Sequence, residues 1–222
     1  MNVPYISFNN QFLIKDMRVF GEEICFPEKY SMEVSKLFKS RYNLHHDCYN
    51  HKTIHAHELM VVDILLECHK VLYDFTKVIY DMEAYMTLDD SILDEIDCSD
   101  DPRLAKAKEI LNRIHFRQLY KCAGEKGLDP EKAPGIWKQI TAANILQYAD
   151  QSGDIKLQES DIALKKYVIN HGLKDGKHPL ESVKFFDKKS GSTQAYLLPL
   201  RKQESMVPKY NQSWTVRCFV KP

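Results

Sequence analysis

CAGEKGLDPEKAPG, residues 122–135, divides this 222-residue sequence into two stretches of different character. Gly124, Gly127, Pro130, Pro134 and Gly135 punctuate it, the composition of a loop. Ahead of it apolar residues recur at spacings of three and four; beyond it they begin to alternate. The main boundary falls here, giving segments 1–122 and 123–222. The expected fold class is α+β, a mostly helical first half followed by a smaller strand-rich lobe.

Working back from that boundary, Asp101-Pro102 announces a helix, with Asp as N-cap and Pro at the first helical position. Leu104, Ala107, Leu111 and Ile114 then share one face. Further upstream, Val34, Leu37, Phe38, Leu44 and Cys48 mark a helix from Pro27 onward, with Pro27 in its first turn. Ile54, Val61, Leu65, Cys68 and Leu72 mark a second stripe that continues or kinks the first helix. Leu59–Leu66, apolar nearly all round, is expected in the core. Working forward, a short helix is expected over 136–148. Val183–Phe186 and Gln194–Leu198 flank KKSGS as a hairpin. Trp214, Val216, Cys218 and Val220 alternate with Thr215, Arg217 and Phe219, the cleanest period of two in the chain.

Lys plus Arg and Asp plus Glu are equal at 31 each, so no global basic field points to nucleic acid or a membrane surface. Leu59–Leu66 is broken by Asp63 and is too short to span a bilayer. MNVPYISFNN lacks the basic and apolar regions of a secretory signal. Six scattered cysteines fit reduced thiols, and the expectation is an intracellular chain, cytoplasmic or nuclear. Charge is uneven locally. Asp81–Asp101 holds nine acidic residues and no basic one, while Lys184–Lys221 holds eight basic and two acidic. These are solvated faces, or surfaces that meet across a subunit interface or attract an anion.

Five of the nine histidines fall between residues 45 and 57. His45-His46-Asp47 invites a His-Asp metal reading, and Cys48, His51 and His55 invite zinc. Neither pattern supplies a complete ligand set. Arg41, His45 and Tyr49 form a stronger constellation. Their i, i+4, i+8 spacing sets them on one helix ridge, in register with the apolar stripe. A guanidinium there needs a partner. The partner is a structural carboxylate, or a phosphate gripped by the Arg fork, the imidazole and the phenol.

SRYNLHHDCYNHK (Ser40–Lys52), YDMEAYMTLDDSILDEI (Tyr80–Ile96), DPRLAKAKEILNRIHFRQLYK (Asp101–Lys121) and VINHG with HPLESVKFF (Val168–Phe186) resemble the SAM-and-HD-domain deoxynucleoside triphosphate triphosphohydrolases. These HD-domain phosphohydrolases convert a deoxynucleoside triphosphate (dNTP) to a deoxynucleoside and triphosphate, using a divalent metal held by a His, a His-Asp pair and an Asp. The resemblance implies that the chain is the C-terminal part of that catalytic core. Those metal ligands lie upstream of the matched region, so this chain by itself is expected to be inactive. His46-Asp47 does not correspond to the metal pair.

By the same resemblance, Arg41, His45 and Tyr49 match substrate-pocket positions. Lys29, His51 and Lys52 match positions holding an activating deoxynucleotide between subunits of a homo-oligomer. Arg117 and Lys121 match positions for an activating guanine nucleotide, and their i, i+4 spacing would let both cations face it. The chain departs from the family at Asp47 (arginine in the family), Glu33 (asparagine), and Pro27 and Phe12 (nucleotide-binding arginines). Two added carboxylates oppose a phosphate-bearing activator there. A competing reading is a non-catalytic module for single-stranded nucleic acid or a partner protein. It would use Lys184, Lys188, Lys189, Arg201 and Lys202 for charge and Phe185, Phe186, Tyr196 and Trp214 for stacking.

Overall fold

The computed structural model describes residues 10–149, 156–172, 177–189 and 194–222. In chain order the elements are α1 (Asn10–Asp16), β1 (Arg18–Phe20), β2 (Glu23–Pro27), α2 (Ser31–Asn43), α3 (Lys52–Cys68), α4 (Phe75–Val78), α5 (Met82–Met86), α6 (Ile92–Cys98) and α7 (Ala105–His115). They continue with β3 (Lys121–Leu128), α8 (Ala133–Ile136), α9 (Ala142–Leu146), β4 (Ile162–Asn170), β5 (Lys184–Phe186), β6 (Tyr196–Leu197), α10 (Leu200–Glu204) and β7 (Gln212–Val220). The fold is α+β. One sheet runs β1-β2-β5-β6 and the other β3-β7-β4.

The described residues pack as two compact units. The first takes in those of Met1–His51, Lys126–Lys138 and Lys166–Val216; the second takes in those of Lys52–Glu125, Gln139–Lys165 and Arg217–Pro222. In the first unit β1 and β2 form an antiparallel pair around Gly21, whose φ of +64° suits a residue without a Cβ. β2 pairs in parallel with β5, and β5 pairs antiparallel with β6 at Phe185–Tyr196, as the expected hairpin requires. The turn from Ser190 lies outside the described residues. Leu13, Val34, Leu180, Phe185 and Leu198 close this core beneath α2.

In the second unit α3 lies against α7. Ile64, Cys68, Ile96, Leu104, Ala107 and Leu111 form one cluster, and Met60, Tyr120, Ala163 and Phe219 another. The Asp101 carboxylate accepts from the Arg103 amide, and Pro102 opens a 3₁₀ turn that leads into α7, as the Asp-Pro pair implies.

Four expectations need correction. β1 and β2 lie in the first half, between α1 and α2, and Pro27 ends β2 instead of lying in the first turn of a helix. Residues 121–128, read as loop, form β3; its pairing in the sheet overrides the two glycines. Leu59–Leu66 is not buried all round. α3 packs through Ala56, Met60, Ile64 and Cys68, an i, i+4 series, while Val62 and Leu66 are exposed. On β7 the alternation does not sort inside from outside: Val216, Arg217 and Phe219 are all buried, because β7 is the central strand.

Candidate nucleotide-binding site

The helix that begins as α2 changes pitch at Leu44. Leu44–Tyr49 is a π-helical turn, with the Asn50 amide donating to the His45 carbonyl at 3.0 Å. The Asn50 side-chain amide donates to the same carbonyl at 2.7 Å and closes the turn. π-Turns recur at functional sites because the extra residue per turn re-aims side chains. Here it rotates His45 and Tyr49 out of strict α register, and their rings still approach to 5.3 Å. The break at Asn50 also takes Cys48, His51 and His55 off any single helix face.

Arg41 is exposed, not core-facing. The packed face of α2 ends near Phe38 and Ser40, and the long arginine stem carries the guanidinium past it. Nη1 donates to the Asn170 carbonyl at 3.1 Å, and among the described residues no carboxylate pairs with Arg41. Burial, then the neighbouring Arg41 charge, hold the His45 imidazole below its ordinary pKa, so it is neutral near pH 7. Tyr49 is 58% exposed.

Sequence reasoning missed the support behind this ridge. Tyr42 stacks on His171, whose Nδ1 lies 3.3 Å from the Asn211 carbonyl, and the Tyr42 hydroxyl donates to Ser213 Oγ at 3.1 Å. His178 stands 5.2 Å beyond His171 and accepts from the Leu180 amide at Nδ1. No local periodicity could expose this column, because its members come from three separate segments.

His46 and Asp47 pair with each other at 2.7 Å on the surface. Among the described residues no group of three or more His, Cys, Asp or Glu side chains converges as metal ligands. The described residues therefore do not fit a divalent ion.

The remaining positions are distributed as follows. Lys29 pairs with Asp16 at 3.7 Å and lies over the Tyr30 ring at 4.5 Å. Phe12 stacks on Tyr30, and Glu33 is paired with Lys36 at 2.7 Å. His51 is exposed. Lys52 and Lys121 line one cleft of about 330 Å³ with Thr53, Leu119 and Cys122. Arg117 and Lys121 do not share a helix: α7 ends at His115, Arg117 occupies its left-handed cap at φ +56°, and Lys121 begins β3.

Three basic residues of the C-terminal stretch are ion-paired within the first unit. Lys184 pairs with Glu23, Lys188 with Asp16 at 2.8 Å, and Lys202 with Glu28. Phe185 and Phe186 are fully buried, and Trp214 packs edge-on against Trp137 at 4.9 Å. The nucleic-acid reading loses most of its charge and two of its four stacking surfaces.

No protein-family model matches the chain. It is 28% identical over 209 residues to the deoxynucleoside triphosphate triphosphohydrolase SAMHD1 homolog of Dictyostelium discoideum, covering 94% of this chain and 39% of that protein. It is 32% identical over 200 residues to chicken (Gallus gallus) SAMHD1, covering 82% of this chain and 32% of that protein. A mimivirus protein described as HD domain-containing is 28% identical over 127 residues, covering 50% of this chain and 27% of that protein. The chain belongs to the HD-domain deoxynucleoside triphosphate triphosphohydrolase family. It spans about two fifths or less of the length of these relatives. HD-domain hydrolases imply a divalent metal in general. Among the described residues no helix is long and apolar enough to cross a membrane.

Proposed function

We propose that this chain is the C-terminal portion of the catalytic core of a metal-dependent dNTP triphosphohydrolase. Residues 1–122 supply the helical part of the core and 123–222 its mixed C-terminal lobe, with the metal ligands outside this chain. Arg41 grips a substrate phosphate, and neutral His45 and the Tyr49 phenol lie against the sugar and base. One observation carries the reading. The Arg41 guanidinium is exposed, held by a single neutral carbonyl, with no carboxylate partner among the described residues to satisfy its charge.

Regulation follows the family positions. Lys29, His51 and Lys52 meet an activating deoxynucleotide between subunits of a homo-oligomer, and Arg117 and Lys121 meet a guanine nucleotide. The cleft that Lys52 shares with Lys121 supports coupling between the two activators. The ion-paired Glu33 and Asp47 weaken the first of them.

Two assays test this. The isolated chain, incubated with dGTP and Mg²⁺ or Mn²⁺, should release no triphosphate above a protein-free control. In the full-length enzyme Arg41→Ala should lower kcat/KM by a factor on the order of 10² to 10³, the loss of a charge-assisted contact to the transition state. Arg41→Lys should rescue little, because a point charge lacks the bidentate fork. Wild-type turnover by Arg41→Ala would remove the assignment.

A further inference from the structure

On the first unit, beside the Tyr42–His171–His178 column, lies an open cleft of about 430 Å³. Tyr42, His171 and His178 form an aromatic wall, and Met206, Val207 and Pro208 supply apolar lining. Ser35, Asn43, Ser205 and Tyr210 contribute polar groups.

The electrostatics of this cleft are one-sided. Among the described residues Lys39 is the only charged side chain in its lining, and it has no ion-pair partner there. Among the described residues no carboxylate lines the cleft. The Glu181 carboxylate, beside the wall, accepts from the backbone amide of His178. Burial lowers the His171 pKa, against the Asn211 carbonyl, and the charges of Arg41 and Lys39 lower it further. Burial likewise holds His178 at about 4, with His171 pushing the same way. Both imidazoles are thus neutral near pH 7, so the wall is aromatic and uncharged, beside a Lys39 ammonium group with no ion-pair partner among the described residues.

A wall of that kind favours a planar π-system, which loses little on leaving water and packs against ring faces and edges. A cation with no ion-pair partner and no lining carboxylate among the described residues favours an anion. The volume lies at the small end of the range for small-molecule pockets. We propose that this cleft binds a small planar heteroaromatic anion of nucleoside-monophosphate size, at a site separate from the Arg41–His45–Tyr49 ridge.

Adenosine monophosphate is a suitable probe, with adenosine and inorganic phosphate as its uncharged and ringless halves. Calorimetry on the full chain should give measurable binding of the monophosphate and at least tenfold weaker binding of either half. Imidazole NMR signals of His171 and His178 should move with the same affinity. Lys39→Gln, at an exposed position, should weaken the monophosphate at least tenfold, towards the level of adenosine. Ser205→Trp, also exposed, should block the cleft while leaving the circular dichroism and melting curve of the chain unchanged. The proposal is overturned by no binding at millimolar monophosphate, by phosphate binding as tightly as the monophosphate, or by wild-type affinity in both variants. Shifts at Lys52 and Lys121 in place of the two histidines would also overturn it.

Discussion

Tyr42 and His171 lie face to face, their ring centroids 4.2 Å apart and their planes 5° from parallel. The two residues are far apart in sequence, so the stack ties the last turn of α2 to the end of β4. The Arg41 contact to the Asn170 carbonyl is the polar half of the same junction. Removing the ring should therefore loosen the helix end on which the candidate phosphate-binding side chains sit. His171→Ala should cost about 2 kcal/mol, combining lost burial with the pairing of two rings. His171→Phe keeps the stack and gives up only the Asn211 contact, so it should cost about 1 kcal/mol or less. Urea denaturation of the three chains checks the order. Equal losses for Ala and Phe would mean that the Asn211 bond matters and the stack does not.

Buried histidines set the acid behaviour. His178 and His55 are each held at about 4, from an ordinary 6.5, chiefly by burial. His171 adds to the effect at His178, and Arg217 adds to it at His55. A base with a depressed folded-state pKa leaves the unfolded chain holding more protons between those values. Stability is thus complete above about pH 6.5 and is lost as pH falls towards 4, by at most about 3 kcal/mol for each group. His178→Asn keeps an acceptor for the Leu180 amide and removes the titration. Its urea midpoint should fall less steeply than wild type between pH 6.5 and 4. An unchanged slope would show that His178 does not contribute.

The helical first half was legible because its signals are local. Asp101-Pro102 fixes a helix start by capping chemistry, and the spacing from Leu104 to Ile114 names its buried face. β7 was legible by alternation and the β5–β6 hairpin by its flanks. β3 was hidden, since a strand carrying Gly124 and Gly127 is held by its sheet partner and not by its own propensity. At the candidate site, Arg41, His45 and Tyr49 could be picked out by spacing and resemblance. The π-turn could not, because it differs from an α-helix by one residue per turn. Nor could Asn170, His171 and Arg217, whose roles come from contacts made far along the sequence.

Arg117 sits in a left-handed cap. Its amide donates to the Ile114 carbonyl at 3.0 Å, and the Gln118 amide donates to the Arg113 carbonyl at 2.8 Å, the bonding pattern of a helix closed by a glycine-type residue. An arginine at φ +56° pays roughly 1 kcal/mol for this conformation relative to glycine. Arg117→Gly should therefore raise the melting temperature, by about 1 kcal/mol of stability. On the proposed regulatory assignment of Arg117, it should also weaken activation of the full-length protein by a guanine nucleotide. A destabilised Arg117→Gly chain would show that the guanidinium makes a compensating contact.

Arg217 carries a buried charge on the central strand, and its partners explain why it is tolerated there. Nε donates to Glu125 at 2.5 Å, and Nη1 donates to His55 Nδ1 at 2.9 Å. The arginine side chain is 9% exposed, whereas that of Glu125 is 46% exposed, so the cost of breaking the pair differs between its two ends. Arg217→Met retains the apolar stem and removes both charge-assisted bonds, leaving buried His55 without this donor. It should destabilise the chain by about 2 to 3 kcal/mol. With the guanidinium gone, the His55 pKa should rise from about 4, although burial keeps it below 6.5. Glu125→Gln should cost under about 1 kcal/mol, because its carboxylate is already half in water. Urea denaturation at pH 7 and an NMR titration of His55 measure both effects. If Arg217→Met stays within about 0.5 kcal/mol of wild type and the His55 titration does not move, the guanidinium is a passenger on β7 and the strand is held by Val216 and Phe219 alone.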